Sequence, residues 1–155
     1  VPPLQPYVAV VGPHEATAQE QAAAEAIGRA LAEAGAVVIT GGHGGVMAAA
    51  CRGASGGGGL SVGILPGSRR AEANEWVSIA LPTGMGELRN GLVVRAADVV
   101  IAVGGAFGTL SEVALALKTA VPVIGVDTWS IEGVRTAGSP SEAVALALEL
   151  VQPGS

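Results

Sequence analysis

Two runs, Asp98-Val-Val-Ile-Ala-Val103 and Val121-Pro-Val-Ile-Gly-Val126, are apolar at almost every position yet too short to be core helices. A strand that is apolar on both faces must be covered on both, which is the condition of a parallel strand buried between two helical layers. Tyr7 to Val11, Ala36 to Thr40, Leu60 to Leu65 and Val77 to Ala80 read as further strands, with Asp98 to Val103 and Val123 to Val126 completing the set. Alanine-rich amphipathic stretches separate most of them, so the pattern is β/α. The fold class that follows is α/β: a single Rossmann-like domain over residues 1–155, with an open, doubly wound, mostly parallel sheet and an ordered core from about 7 to 150.

Helix ends are marked by local chemistry. Thr17-Ala-Gln-Glu20 and Ser139-Pro-Ser-Glu142 both fit a capping box, the second with proline at the first helical position, and Gly35 stands where the first helix should stop. Gly86 to Ala97 and Thr109 to Thr119 read as helices with much apolar surface. Gly56 to Gly59 is expected to be a flexible turn, and the Pro-rich head and Pro-Gly-Ser tail are expected to be loose ends.

In such a sheet, ligands bind beyond the carboxyl ends of the strands, near the point where strand order reverses. Three loops fall there: Gly12-Pro-His-Glu15, Gly41-Gly-His-Gly-Gly-Val-Met47 and Gly104-Gly-Ala-Phe-Gly-Thr109. The third joins an apolar strand to a helix, and the N–H groups of a first helical turn, with the helix dipole, make an anion site. Four glycines in five positions at Gly41, Gly42, Gly44 and Gly45 suit a backbone pressed close to a ligand. Neither a dinucleotide fingerprint nor a Walker loop is present.

Composition narrows the partners. A formal charge of −5 offers no basic face for nucleic acid, and one cysteine with two histidines makes a poor metal kit, so no metal site is expected. The single Cys51 rules out an internal disulfide and suits a reducing, cytoplasmic setting. No apolar run approaches the ~18 residues of a membrane span, and no membrane partner is expected.

Four ordered motifs carry a resemblance: Thr40-Gly-Gly-His-Gly-Gly-Val-Met47, Gly63-Ile-Leu-Pro-Gly67, Gly86-Glu-Leu-Arg-Asn90 and Gly104-Gly-Ala-Phe-Gly-Thr-Leu-Ser-Glu112. Together they resemble the LOG superfamily, once labelled lysine decarboxylases, over about Tyr7 to Leu150. One branch comprises phosphoribohydrolases that release a base from nucleoside 5′-monophosphates such as cytokinin nucleotides. The other comprises molybdenum-cofactor carrier proteins and their bacterial relatives, and the Arg-Asn pair and the proline-free loop look more like this branch.

The hydrolase motif Pro-Gly-Gly-x-Gly-Thr-x-x-Glu falls on Gly104, Gly105, Ala106, Phe107, Gly108, Thr109 and Glu112. Gly104 replaces its proline and Ala106 its second glycine, while Asn90 replaces the lysine of an Arg-Lys pair. The resemblance implies Arg89 and Glu112 as catalytic residues. Gly12, Gly41, Gly42, Gly44, Gly45, Asn90 and the loop from Gly104 to Thr109 become the ligand- and phosphate-binding set. It also implies a nucleoside monophosphate or molybdopterin-type cofactor as ligand, no cofactor required for catalysis, and a homodimer or higher homo-oligomer. Whether the site hydrolyses, carries or senses its ligand stays open at the level of the chain.

Each candidate also has a plainer account. Thr109-Leu-Ser-Glu112 is itself a capping-box pattern, and a carboxylate in a first helical turn is expected to be ionised with a lowered pKa. Arg89, Arg95, Arg69 and Arg70 read by default as solvated charges, and His43 as an exposed loop residue. Asn74 and Asn90 suit either a heterocycle edge or the local backbone, and Met47 and Cys51, one turn apart, read as helix packing.

Overall fold

The computed structural model describes residues 5–151, so the expectation of loose ends falls largely on 1–4 and 152–155, outside the described residues. Seven strands form one sheet in which every pairing is parallel. They are β1 (Tyr7–Val11), β2 (Val37–Thr40), β3 (Ser61–Leu65), β4 (Ile79–Pro82), β5 (Val99–Val103), β6 (Val123–Val126) and β7 (Arg135–Thr136), in the spatial order β4-β3-β2-β1-β5-β6-β7. The order reverses between β1 and β5, whose carboxyl ends lie side by side with Val11 paired to Ala102.

Alternation along each strand divides the core into two. Val8, Val10, Val99, Ile101 and Val103 join one apolar cluster with residues of α1 (Ala18–Glu33), α2 (Val46–Gly56) and α5 (Pro140–Leu150). Ala9, Val11, Val100 and Ala102 join the other, with residues of α3 (Arg89–Ala96) and α4 (Phe107–Lys118). The strands are apolar throughout because helices cover both faces of the sheet.

Most boundaries follow their local chemistry. Thr17 caps α1 in a reciprocal box with Glu20, and Gly35, at φ +83°, ends the helix while Gly35 and Ala36 N–H return to the Ala32 and Leu31 carbonyls. At α5 the Ser139 hydroxyl accepts from Glu142 N–H, but the Glu142 carboxylate accepts from Gly138 N–H instead of Ser139, so that box closes one residue early.

Three expectations need correction. Strand β4 starts at Ile79, two residues late, because Val77 N–H donates to Asn74 O within a turn; and β7, two exposed residues long, carries no apolar signal at all. The Gly56 to Gly59 patch is a packed helix end: Gly57, Gly58 and Gly59 N–H donate to Gly53, Ser55 and Ala54, and a Cβ on Gly59 would lie 2.5 Å from the Ala32 side chain. Helix α4 starts at Phe107 with extended Ala106 as its N-cap, so Thr109 and Glu112 are the third and sixth helical residues and form no capping box.

Candidate ligand-binding site

A cavity of about 240 Å³ opens where the strand order reverses. Its lining includes Gly12, His14, Gly41, Met47, Arg89, Asn90, Ala106, Gly108, Thr109 and Glu112. The β1 and β5 ends approach closely at Gly12, where a Cβ would stand 2.5 Å from the Val103 carbonyl. Helix α3 delivers Arg89 and Asn90 from its first turn, and α4 delivers Thr109 and Glu112 across from them.

The missing cap on α4 matters chemically. No side chain accepts from the N–H groups of its first turn, the α4 start carries no acidic residue, and Gly108 contributes no side chain to shield them. Uncapped first-turn donors with the positive end of the helix dipole favour an anion. Beside them the Thr109 hydroxyl is buried without a hydrogen-bond partner.

Arg89 is 9% exposed, not a solvated surface charge. Its guanidinium donates to Asn90 Oδ1 and, at 3.5 Å, to the Gly41 carbonyl, while its Nε–H is buried and unpartnered. Burial lowers its pKa, opposed by the nearby Glu112 and Glu87 carboxylates. Asn90 donates in turn to Ser111 Oγ at 3.3 Å, which donates to Gly108 O at 2.7 Å, linking the arginine to the α4 start.

Glu112 is buried in the same cavity, and the sign of its expected pKa shift is reversed. Burial pushes it up to about 7, with only partial relief from Arg89. At the sixth helical position the carboxylate lies beyond the first turn, where the dipole acts most strongly, and the cost of removing its charge from water dominates. Among the described residues, ion pairs within 4.0 Å join Arg29 and Arg52 to Glu25 and Arg69 to Glu72, none of them at this cavity.

The glycine run at 41–45 divides. Gly41 lines the cavity, and a Cβ there would lie 2.6 Å from the Arg89 guanidinium. Gly42, Gly44 and Gly45 are explained by the protein itself: at φ +78° Gly42 passes Leu65, Gly44 meets the His14 ring, and Gly45, at φ +63°, lies against the Pro13 and His14 carbonyls. Asn74 likewise serves the backbone, donating to the His43 and Gly42 carbonyls, and Cys51 is buried against Thr40. Arg69, Arg70 and Arg95 are exposed, whereas His43 is half-buried and its pKa is lowered, first by burial and then by Arg89.

Gly104, Gly105 and Phe107 flank the cavity without lining it. Gly104 sits at φ +69°, which a proline, fixed near −65°, cannot adopt. His14, in a ligand-side loop but given no role of its own, and Met47, read as helix packing, both line the cavity. His14 Nδ1 accepts from Gly44 N–H at 3.2 Å, a contact between two loops thirty residues apart that no local pattern announces.

The chain belongs to the SLOG cluster4 family, whose sequence profile matches residues 5–151. It is 41% identical over 138 residues to an uncharacterized protein of Archaeoglobus fulgidus, covering 88% of this chain and 91% of that one. Among solved structures it resembles the molybdenum cofactor binding protein of Rippkaea orientalis, with a TM-score of 0.91 and 37% identity over 96% of this chain and 99% of that one. The molybdenum cofactor carrier protein of Chlamydomonas reinhardtii superposes with a TM-score of 0.86 at 31% identity, covering 95% and 98%.

Proposed function

We propose that the chain binds a phosphorylated, nucleotide-like ligand in this cavity and holds it unreacted, in the manner of the molybdenum cofactor carriers it resembles. The observation that carries this reading is the uncapped start of α4, whose free donors adjoin a cavity that also contains buried Arg89 and an unpartnered Thr109 hydroxyl. Phosphate is the anion best matched to several N–H donors, a hydroxyl and a guanidinium at once. A cavity of about 240 Å³ accommodates the phosphate end of such a ligand and leaves its remainder toward the mouth.

The donor set also suits the organic part of a molybdopterin-type cofactor. Arg89 and the backbone donors would take its phosphate, and Asn90 has the mixed donor and acceptor chemistry of a heterocycle edge. Among the described residues no group of three or more His, Cys, Asp or Glu could hold a metal ion, so on this reading molybdenum travels as part of the cargo.

The alternative is a phosphoribohydrolase cleaving the N-glycosidic bond of a nucleoside 5′-monophosphate, and the presence of Arg89 and Glu112 in one cavity favours it. Three observations weigh the other way. Glu112, with a pKa of about 7, is only partly ionised at neutral pH and so a diminished partner for positive charge developing on a ribose. Gly104 has a backbone conformation closed to the proline of the hydrolase motif, and the Ala106 methyl stands where that motif has a bare glycine.

Glu112→Gln separates the two readings. A carrier shows no release of free base from adenosine 5′-monophosphate above background in either form, and the substitution changes affinity only modestly. Efficient release by the wild type, lost by orders of magnitude in Glu112→Gln with binding retained, would make the hydrolase reading the better one. The proposal includes a cytoplasmic homo-oligomer paired through α3 and α4, where Leu88, Leu92 and Leu115 are exposed. No helix among the described residues is long and apolar enough to cross a membrane.

A further inference from the structure

Phe107 is 84% exposed, more than any other large hydrophobic residue among those described, although it stands in the first turn of α4 between cavity-lining Ala106 and Gly108. Trp129 stacks against it with ring centroids 6.3 Å apart and an interplanar angle of 24°.

The stack is held by the same backbone that starts the helix. Trp129 Nε1–H donates to the Ala106 carbonyl at 3.2 Å, and that carbonyl also accepts the first helical bond, from Leu110 N–H at 2.9 Å. A Cβ on Gly105 would lie 3.3 to 3.5 Å from the Trp129 ring, so the bare glycine lets the indole lie close to the loop. Trp129 reaches this place because Asp127, directly after β6, takes a left-handed conformation at φ 50° and turns the chain at the carboxyl edge of the sheet, beside β5.

A pinned indole supporting an exposed phenyl ring is a platform with an open π face, and planar heterocycles bind to such faces by stacking without regard to their hydrogen-bond pattern. We infer that Phe107, braced by Trp129, is the stacking surface for the planar heterocycle of a ligand whose phosphate occupies the adjoining cavity. This inference rests on the proposed phosphate site and adds the place where the ligand's purine- or pterin-like ring would lie. It also gives the Phe107 side chain a role distinct from that of the loop's backbone donors. Because the platform discriminates by planarity, the ring contributes affinity while Arg89 and the α4 start fix the register.

The test uses a Trp76→Phe background, in which Trp129 is the sole tryptophan reporter. Adenosine 5′-monophosphate, neopterin monophosphate and ribose 5-phosphate are titrated with and without Phe107→Leu. The inference predicts that the two ring-bearing probes perturb Trp129 emission and ribose 5-phosphate does not. It further predicts that the affinity ratio of each ring-bearing probe to ribose 5-phosphate falls about tenfold in Phe107→Leu, as expected for loss of one stacking contact. A ratio unchanged by the substitution for both ring-bearing probes, with all probes still bound, would overturn the platform and leave the phosphate site intact. Failure of every probe to bind the wild type would overturn the phosphate site and the platform with it.

Discussion

A carboxylate six residues into a helix and buried in the wall of a cavity behaves differently from one in a first turn, and Glu112 is the former. With its pKa pushed up to about 7, the folded protein keeps a proton that the unfolded chain has already lost above the ordinary glutamate range. The sign follows directly: the folded state binds more protons, so this group's contribution is fully present at low pH and is lost as pH rises through about 7. Glu112→Gln removes the buried charge at constant shape. At pH 8.5 it should raise the unfolding free energy by up to about 3 kcal/mol, and at pH 4 change it by less than about 1 kcal/mol. Urea melts at both pH values check this, and equal effects at the two would show that Glu112 ionises freely in the folded state. Arg89 carries the complementary prediction. Arg89→Met leaves Asn90 and the Gly41 carbonyl without their guanidinium donor and removes the cationic partner of a bound phosphate. Affinity for adenosine 5′-monophosphate should fall at least tenfold by calorimetry, and a fall of less than twofold would place the phosphate elsewhere.

At the scale of elements, two helices meet at glycine. Helices α1 and α2 pack so closely that a Cβ on Gly28 would lie 2.1 Å from the Ala50 carbonyl, and one on Gly53 would lie 2.0 Å from the Glu25 carbonyl. Backbone cannot yield as a flexible side chain does, so Gly28→Ala should cost about 2 to 3 kcal/mol despite alanine's better helix propensity. An unchanged denaturation midpoint would contradict that packing. These helical glycines resemble helix weaknesses in the sequence, and only the crossing explains them. Strands β1, β5 and β6 were legible because burial on both faces writes itself as runs of Val, Ile and Ala, interrupted only by Tyr7 at the exposed start of β1 and Gly125 in β6, whereas β7 is short, exposed and paired on one side only. Four residues of the motif from Gly104 to Glu112 line the cavity, but its helix starts earlier than expected: Thr109-Leu-Ser-Glu112 has the residues of a capping box, while extended Ala106 caps the helix with backbone alone. With that shift Glu112, expected as an ionised carboxylate of lowered pKa, is a buried acid of raised pKa. His14 stood in the first of the three loops without a role of its own, since its contact with Gly44 joins loops thirty residues apart, and Trp129 was invisible because it reaches Ala106 from a loop 23 residues on.

For the molecule as a whole, the candidate groups that line the cavity stand at the carboxyl edge of one parallel sheet, where the strand order reverses. Leu88, at 77% exposure, stands with Leu92 and Leu115 on the α3 and α4 side, and in the proposed assembly these side chains are covered by a second copy of the chain. Light scattering at micromolar concentration should give at least a dimer, and Leu88→Glu should shift it toward monomer; a wild-type monomer would contradict the assembly. The uncapped α4 start, the Thr109 hydroxyl and Arg89 share one cavity, the arrangement on which the proposed phosphate site depends. Titration calorimetry of adenosine 5′-monophosphate against adenosine at fixed ionic strength measures what that phosphate contributes. Affinity for the monophosphate should be at least tenfold greater. Equal affinity for the two would contradict the phosphate site.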